Sequence, residues 1–284
     1  MYSDSHFHFH QLTEGDAKRG ADILSQMAQN RVAFALDIGT KRDDLAFRES
    51  FMADCLDLIE DDVLKGRAEK MLYFSAGLWP EVDAINEREE CVRELEEQIA
   101  DATEGGGRFA KKLAAIGECG LDHHGDFDWS LIAEERDLFA MQLRLAKRLH
   151  LPVIIHSRDA FEDTIDVIKG EGYDYGVIHC YSYGLEEAKA FLDRGWYIAF
   201  GGAVTYTKKS KMYDMEQLLT YVPDDRLLLE TDAPYLTPVP FRGTPNTPLF
   251  INYTYEFIAA KRHTGIDKLS KLVDENCKRL FSIK

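Results

Sequence analysis

A single (β/α)8 TIM barrel spanning residues 1–284 is the fold that the sequence predicts. Short apolar, β-branched runs alternate with longer amphipathic segments along the whole chain, the pattern of βα units on a parallel sheet. Eight such units fit in 284 residues, the usual size of one barrel. Six metal-ligand residue types (His6, His8, Glu118, His156, His179 and Asp232) also fall at the ends of five expected strands, and a barrel gathers strand ends into one site.

The strands are expected around residues 2–8, 31–39, 70–78, 114–121, 152–157, 176–181, 196–203 and 227–232. In the first, His6 and His8 lie two apart, so an extended backbone points both imidazoles to one side. The same parity pairs Ile116 with Glu118, Ile154 with His156, Val177 with His179, and Leu228 with Glu230 and Asp232. Between strands the periods lengthen. Val92, Leu95 and Ile99 mark the buried stripe of a helix whose remaining surface, between Glu87 and Glu104, is largely acidic. Glu104-Gly105-Gly106-Gly107 is the one flexible patch, expected on the barrel face that serves stability. No linker, low-complexity tract or stronger repeat divides the chain.

Apolar residues make up 45 % of the chain, enough to bury a large core. No apolar run approaches the ~18 residues of a membrane span, and the N-terminus itself carries ligand candidates, so a cytosolic or nuclear location is expected, with cytoplasmic as the working assignment. The five cysteines are odd in number and scattered, without a Cys-x-x-Cys pair, and are expected to be reduced and mostly buried. A net charge of −16 argues against a broad, sequence-independent grip on nucleic acid, which needs many Lys and Arg residues. Any such contact should be local to the site. No helix carries a feature that argues for a partner surface, so a monomer is expected.

Imidazoles and carboxylates together suit zinc, manganese, iron or magnesium. Glu118 stands between Gly117 and Gly120, where the backbone leaves room for a long carboxylate to bridge two cations. A pair of cations at ~3.5–4 Å would activate a water and neutralise charge on a phosphorus or carbonyl centre. Taken singly, His179 reads equally as a core histidine, His156 as a capping group and Asp232 as a turn residue before Pro234; their joint placement is what favours a metal site. His10, His123 and His124 fall in loops on the same face, His10 as an exposed residue and His123 or His124 as a contact to a substrate phosphate. Arg158 follows His156 closely enough for its guanidinium to grip a phosphate, and Lys208, Lys209 and Lys211 reverse the local sign of charge after the seventh strand. His150 and His263 read as helix ends.

These segments resemble the TatD family of metal-dependent hydrolases, amidohydrolase-like barrels, nearly end to end. The resemblance rests on Asp4-Ser5-His6-Phe7-His8, Gly117-Glu118-Cys119-Gly120-Leu121-Asp122, His156-Ser157-Arg158 and His179-Cys180-Tyr181-Ser182. Further along it rests on Glu230-Thr231-Asp232-Ala233-Pro234-Tyr235-Leu236 with Pro238-Val239-Pro240-Phe241-Arg242-Gly243, and on the tail Asn276-Cys277-Lys278-Arg279-Leu280-Phe281. It implies two divalent cations, magnesium or manganese in activity with zinc also compatible. His6, His8, Glu118 and Asp232 would serve one and Glu118, His156 and His179 the other. It also implies catalytic roles for Glu118 as the bridge and for Asp232 in orienting or deprotonating water. The activity implied is DNase action, 3′-5′ exonuclease-like, on DNA ends or short single-stranded DNA. Three departures bear on substrate. Trp79 stands where many relatives carry His, offering a platform on which a base could stack or simply filling the barrel mouth, His123 and His124 stand where aromatic residues are usual, and Tyr183 stands where glycine is common. Two other readings remain at this stage: hydrolysis of a small-molecule or aminoacyl ester or amide at the same site, and a non-catalytic scaffold.

Overall fold

In the computed structural model, which describes residues 1–283, eight strands lie side by side in chain order in one sheet, every neighbouring pair parallel. They are β1 (Ser3–Phe7), β2 (Phe34–Asp37), β3 (Leu72–Ala76), β4 (Leu113–Asp122), β5 (Val153–Arg158), β6 (Gly176–Ile178), β7 (Tyr197–Phe200) and β8 (Leu227–Leu229). The sheet closes into the expected barrel where the chain beyond β8 meets β1: Asp232 N–H donates to the His6 carbonyl and His8 N–H to that of Ala233, both at 2.8 Å.

Helices link the strands and bury one stripe each. Ala17–Gln29 begins at Asp16, whose carboxylate accepts from the amides of Lys18 and Arg19, and it packs Ile23, Leu24 and Met27 inward. Arg88–Glu104 buries Val92, Leu95 and Ile99 as their spacing predicts. The Gly105–Gly107 run leads from that helix to the start of β4, at the opposite end of the barrel from the ligand residues. All five cysteines are free and four are buried. His150 takes the left-handed conformation that ends Ile132–Leu149, and His263 does so just past Ile251–Lys261.

Two expectations about the strands need correction. Pairing of β4 with β5 slips between Ile116 and Cys119, so the alternation expected from Ile116 to Glu118 does not run straight through. Gly117 and Gly120 make that path possible. Both have positive φ, and a Cβ on Gly120 would sit 1.9 Å from the His156 carbonyl oxygen. Likewise β6, β7 and β8 stop earlier than expected. Asp232 lies at φ 56°, and the parity expected from Leu228 through Glu230 to Asp232 ends with β8 at Leu229. Beyond the strands the backbone is still satisfied one amide at a time, Glu230 N–H by the Phe200 carbonyl and His179 N–H by that of Ile155. No helix among the described residues is long and apolar enough to cross a membrane.

Candidate metal centre

The first donors come from β1 and from the segment that closes onto it. Asp4, fully buried, accepts the amide of Thr231 at 2.9 Å, its hydroxyl at 2.7 Å and the amide of His6 at 3.3 Å. This ties β1 to the chain that carries Asp232. Burial pushes the Asp4 carboxyl up to about 7 against those hydrogen bonds. His8 begins the short helix Phe9–Thr13, and its ring stands nearly perpendicular to that of His6.

The result is a tight set of lone-pair atoms. His6 Nε2 lies 3.3 Å from His8 Nε2, 3.3 Å from Glu118 Oε2 and 3.6 Å from Asp232 Oδ1. His8 Nε2 is 3.6 Å from each of the same two carboxylate oxygens. Ligands at ~2.0–2.1 Å around a tetrahedral cation are about 3.3–3.4 Å from one another, close to this spacing. A second set gathers on the other oxygen of Glu118: Oε1 is 2.9 Å from His179 Nε2 and 3.0 Å from His156 Nδ1, which are 3.3 Å apart.

Hydrogen bonds alone do not account for these sets. A neutral imidazole nitrogen carries at most one proton, yet His6 Nε2 faces three other lone-pair atoms. All six side chains are nearly buried, His156 the most exposed at 16 % and Asp232 next at 11 %. Burial, and next the charge of His179, hold His6 below the usual histidine range, favouring the neutral ring that binds metal. Burial works to raise Glu118, but the charge of His179 and hydrogen bonds from His156, His179 and His6 carry it well below the usual range. A divalent cation in either set would relieve the crowding, so the residues fit the metals that the donor chemistry implies.

A surrounding layer orients the donors. Asp122 Oδ2 lies 3.0 Å from His156 Nε2 and so presents Nδ1 to Glu118. Glu230, fully buried, accepts the Cys180 amide at 2.6 Å and lies 3.6 Å from His179 Nδ1, beyond hydrogen-bond distance, so it acts on that ring through its charge. Asp4, Asp122 and Glu230 were not singled out from the sequence as site residues, although each stands within or beside a ligand-bearing motif.

The other candidates separate. Trp79 is half-buried beside the centre, its ring edge-on to His156 at 5.8 Å. Arg158 is exposed at the end of β5, forms no ion pair among the described residues, and its charge reaches Asp122 and Cys180. Lys208, Lys209 and Lys211 are exposed together after β7. His123, expected to contact a substrate phosphate, has its ring buried against Phe127 and Trp129, with Nε2 2.9 Å from buried Glu135. His124 is exposed but bonded to Asp159. His10, expected to be exposed, is partly buried against Phe47 and Phe51.

Comparison with known proteins agrees with this picture. A family model described as "TatD related DNase" matches residues 3–282. Among curated proteins, the chain is 38 % identical over 214 residues to the "uncharacterized metal-dependent hydrolase YabD" of Bacillus subtilis strain 168, covering 75 % of this chain and 78 % of that one. It is 36 % identical over 178 residues to the "3′-5′ ssDNA/RNA exonuclease TatD" of Escherichia fergusonii, covering 61 % and 67 %. Among solved structures, the TatD homologue YJJV of Escherichia coli K12 superposes with a TM-score of 0.79 at 28 % identity, over 100 % of this chain and 98 % of that one. With a barrel of the same order and a buried set of histidines and carboxylates at its strand ends, the chain belongs to the TatD family of metal-dependent hydrolases.

Proposed function

We propose that the chain hydrolyses phosphodiester bonds at the ends of single-stranded DNA, releasing nucleotides in the 3′-5′ direction with two divalent cations, magnesium or manganese in activity with zinc also able to bind. The observation that carries this reading is the division of Glu118: Oε2 lies among His6, His8 and Asp232, and Oε1 faces His156 and His179. The family's description and the name of the Escherichia fergusonii relative support the choice of nucleic acid. The acidic chain favours short or end-bound substrate over a long duplex. We take the protein to act as a cytoplasmic monomer.

When bound, such cations polarise a phosphoryl oxygen and make water acidic enough to attack near neutral pH. The chain's own residues do the rest. Burial opposes the ionisation of Asp232, but the His8 ring at 3.6 Å and the charge of His179 outweigh it, so the carboxylate stays ionised. Near the mouth of the site, it accepts the proton of the attacking water. Arg158, lacking a carboxylate partner, grips the non-bridging oxygens. Water adds its oxygen to phosphorus, the P–O3′ bond breaks, and the proton passes to the leaving oxygen.

The test is mononucleotide release from a labelled single-stranded oligonucleotide with magnesium or manganese, against chelated protein and Glu118→Ala. Release by the metal-loaded wild type alone, starting from the 3′ end, is the expected result. Failure with metals demonstrably bound would move the substrate to a small-molecule or aminoacyl ester or amide.

A further inference from the structure

A groove of about 460 Å³ opens beside His8, between the segments that follow β1 and β2. That size lies in the range of about 300–1,000 Å³ that accepts small molecules. His8 forms part of its wall, so the groove borders the candidate metal centre.

Its lining is unusual for a chain this acidic. The carboxylates of Asp37 and Asp44 are already engaged. Both bond to buried Arg48, at 2.8 and 3.0 Å, and they also accept the backbone amides of Phe9, Thr40 and Lys41. What remains at the surface is Lys41, Asp43 and the amide of Gln11, so the groove presents little net charge to an anion. The Tyr235 hydroxyl donates to Gln11 Oε1 at 2.7 Å, which leaves the Gln11 NH2 group free to donate. Phe47, which lines the groove, is 53 % exposed. Its ring is braced at 4.7 Å by the edge of His10, which itself packs on Phe51. A braced aromatic ring with half its surface open, in a groove bordered by the ligand candidate His8, is what stacking on a nucleobase requires.

We propose that this groove is a nucleobase subsite in which Phe47 stacks on the base of the nucleotide adjoining the scissile phosphate and Gln11 and Lys41 meet its polar edges. The proposal rests on the nuclease reading above and gives that site its base-binding element. Stacking is indifferent to base identity, so the subsite favours nucleotides over abasic sugar phosphates without selecting a sequence.

The experiment compares, by calorimetry on the manganese-loaded full chain, the binding of deoxyadenosine 5′-monophosphate and of 2-deoxyribose 5-phosphate. The wild type should hold the nucleotide about tenfold more tightly. Phe47→Ala should remove most of that difference and leave sugar phosphate binding unchanged, and Phe47→Tyr should retain it. As Phe47 is exposed, circular dichroism should show all variants folded. Equal binding of the two ligands by wild type, or a preference undiminished in Phe47→Ala, would overturn the subsite. Oligonucleotide cleavage on the same samples separates the two ideas. Base-dependent binding without cleavage overturns the nuclease reading alone, and cleavage with base-independent binding overturns the subsite alone.

Discussion

The two sets of donors that share Glu118 are built differently. The one on β1 draws on four side chains, and His6 within it is wholly buried and stacked on His179 at 3.9 Å. The one on β5 and β6 has three, includes the most exposed of the six side chains, His156, and depends on Asp122 to hold that ring. More donors and deeper burial favour retention of a cation, whereas fewer donors at the mouth leave a position for substrate. On the two-cation reading proposed above, the difference predicts holding by the first set and exchange by the second.

Glu118→Ala is the strongest challenge to that contrast, because it removes the one side chain common to both sets. It should abolish the second cation and lower turnover by at least ~10²–10³, with circular dichroism showing an intact barrel. Unchanged metal content would count directly against the shared carboxylate. Asp122→Asn sharpens the asymmetry: the second cation should bind ~10–100-fold more weakly in a chelator competition while the first is unaffected. Equal weakening of both would erase the distinction. At the exposed side of the mouth, Arg158→Ala should raise KM for an oligonucleotide by the loss of about 1.5–3 kcal/mol of charged hydrogen bonding, with little change in metal content. An unchanged KM would remove Arg158 from the substrate. The smallest effect belongs to the triple change of Lys208, Lys209 and Lys211 to Ala. If all three meet phosphates, the dependence of log affinity on log salt should become shallower by roughly two for a single strand. An unaltered salt slope would place the strand elsewhere.

Much of this arrangement was legible in the sequence, and the failures have specific physical origins. His6 and His8 were readable as a pair because a strand repeats every two residues, and Val92, Leu95 and Ile99 because a helix repeats near 3.6. Parity failed at Glu118, where two glycines let the backbone slip register against β5, and beyond Leu229, where the chain leaves the strand to close the barrel. Such bends follow from close approach of another segment, which no local period reports. Asp4, Asp122 and Glu230 were missed for a related reason. A lone carboxylate becomes an orienting group only through a partner far along the chain, as Asp122 does through His156. The burial of His123 was not legible either, because its partner, Glu135, lies on the following helix and is wholly buried there.

The most direct measurement is equilibrium titration of chelator-treated wild type with manganese, scored as cations bound per chain and repeated on Asp122→Asn. Two sites of unequal affinity, with only the weaker lost further in the variant, is the predicted result. A single site per chain, or two that weaken together, would contradict a centre divided across the oxygens of Glu118.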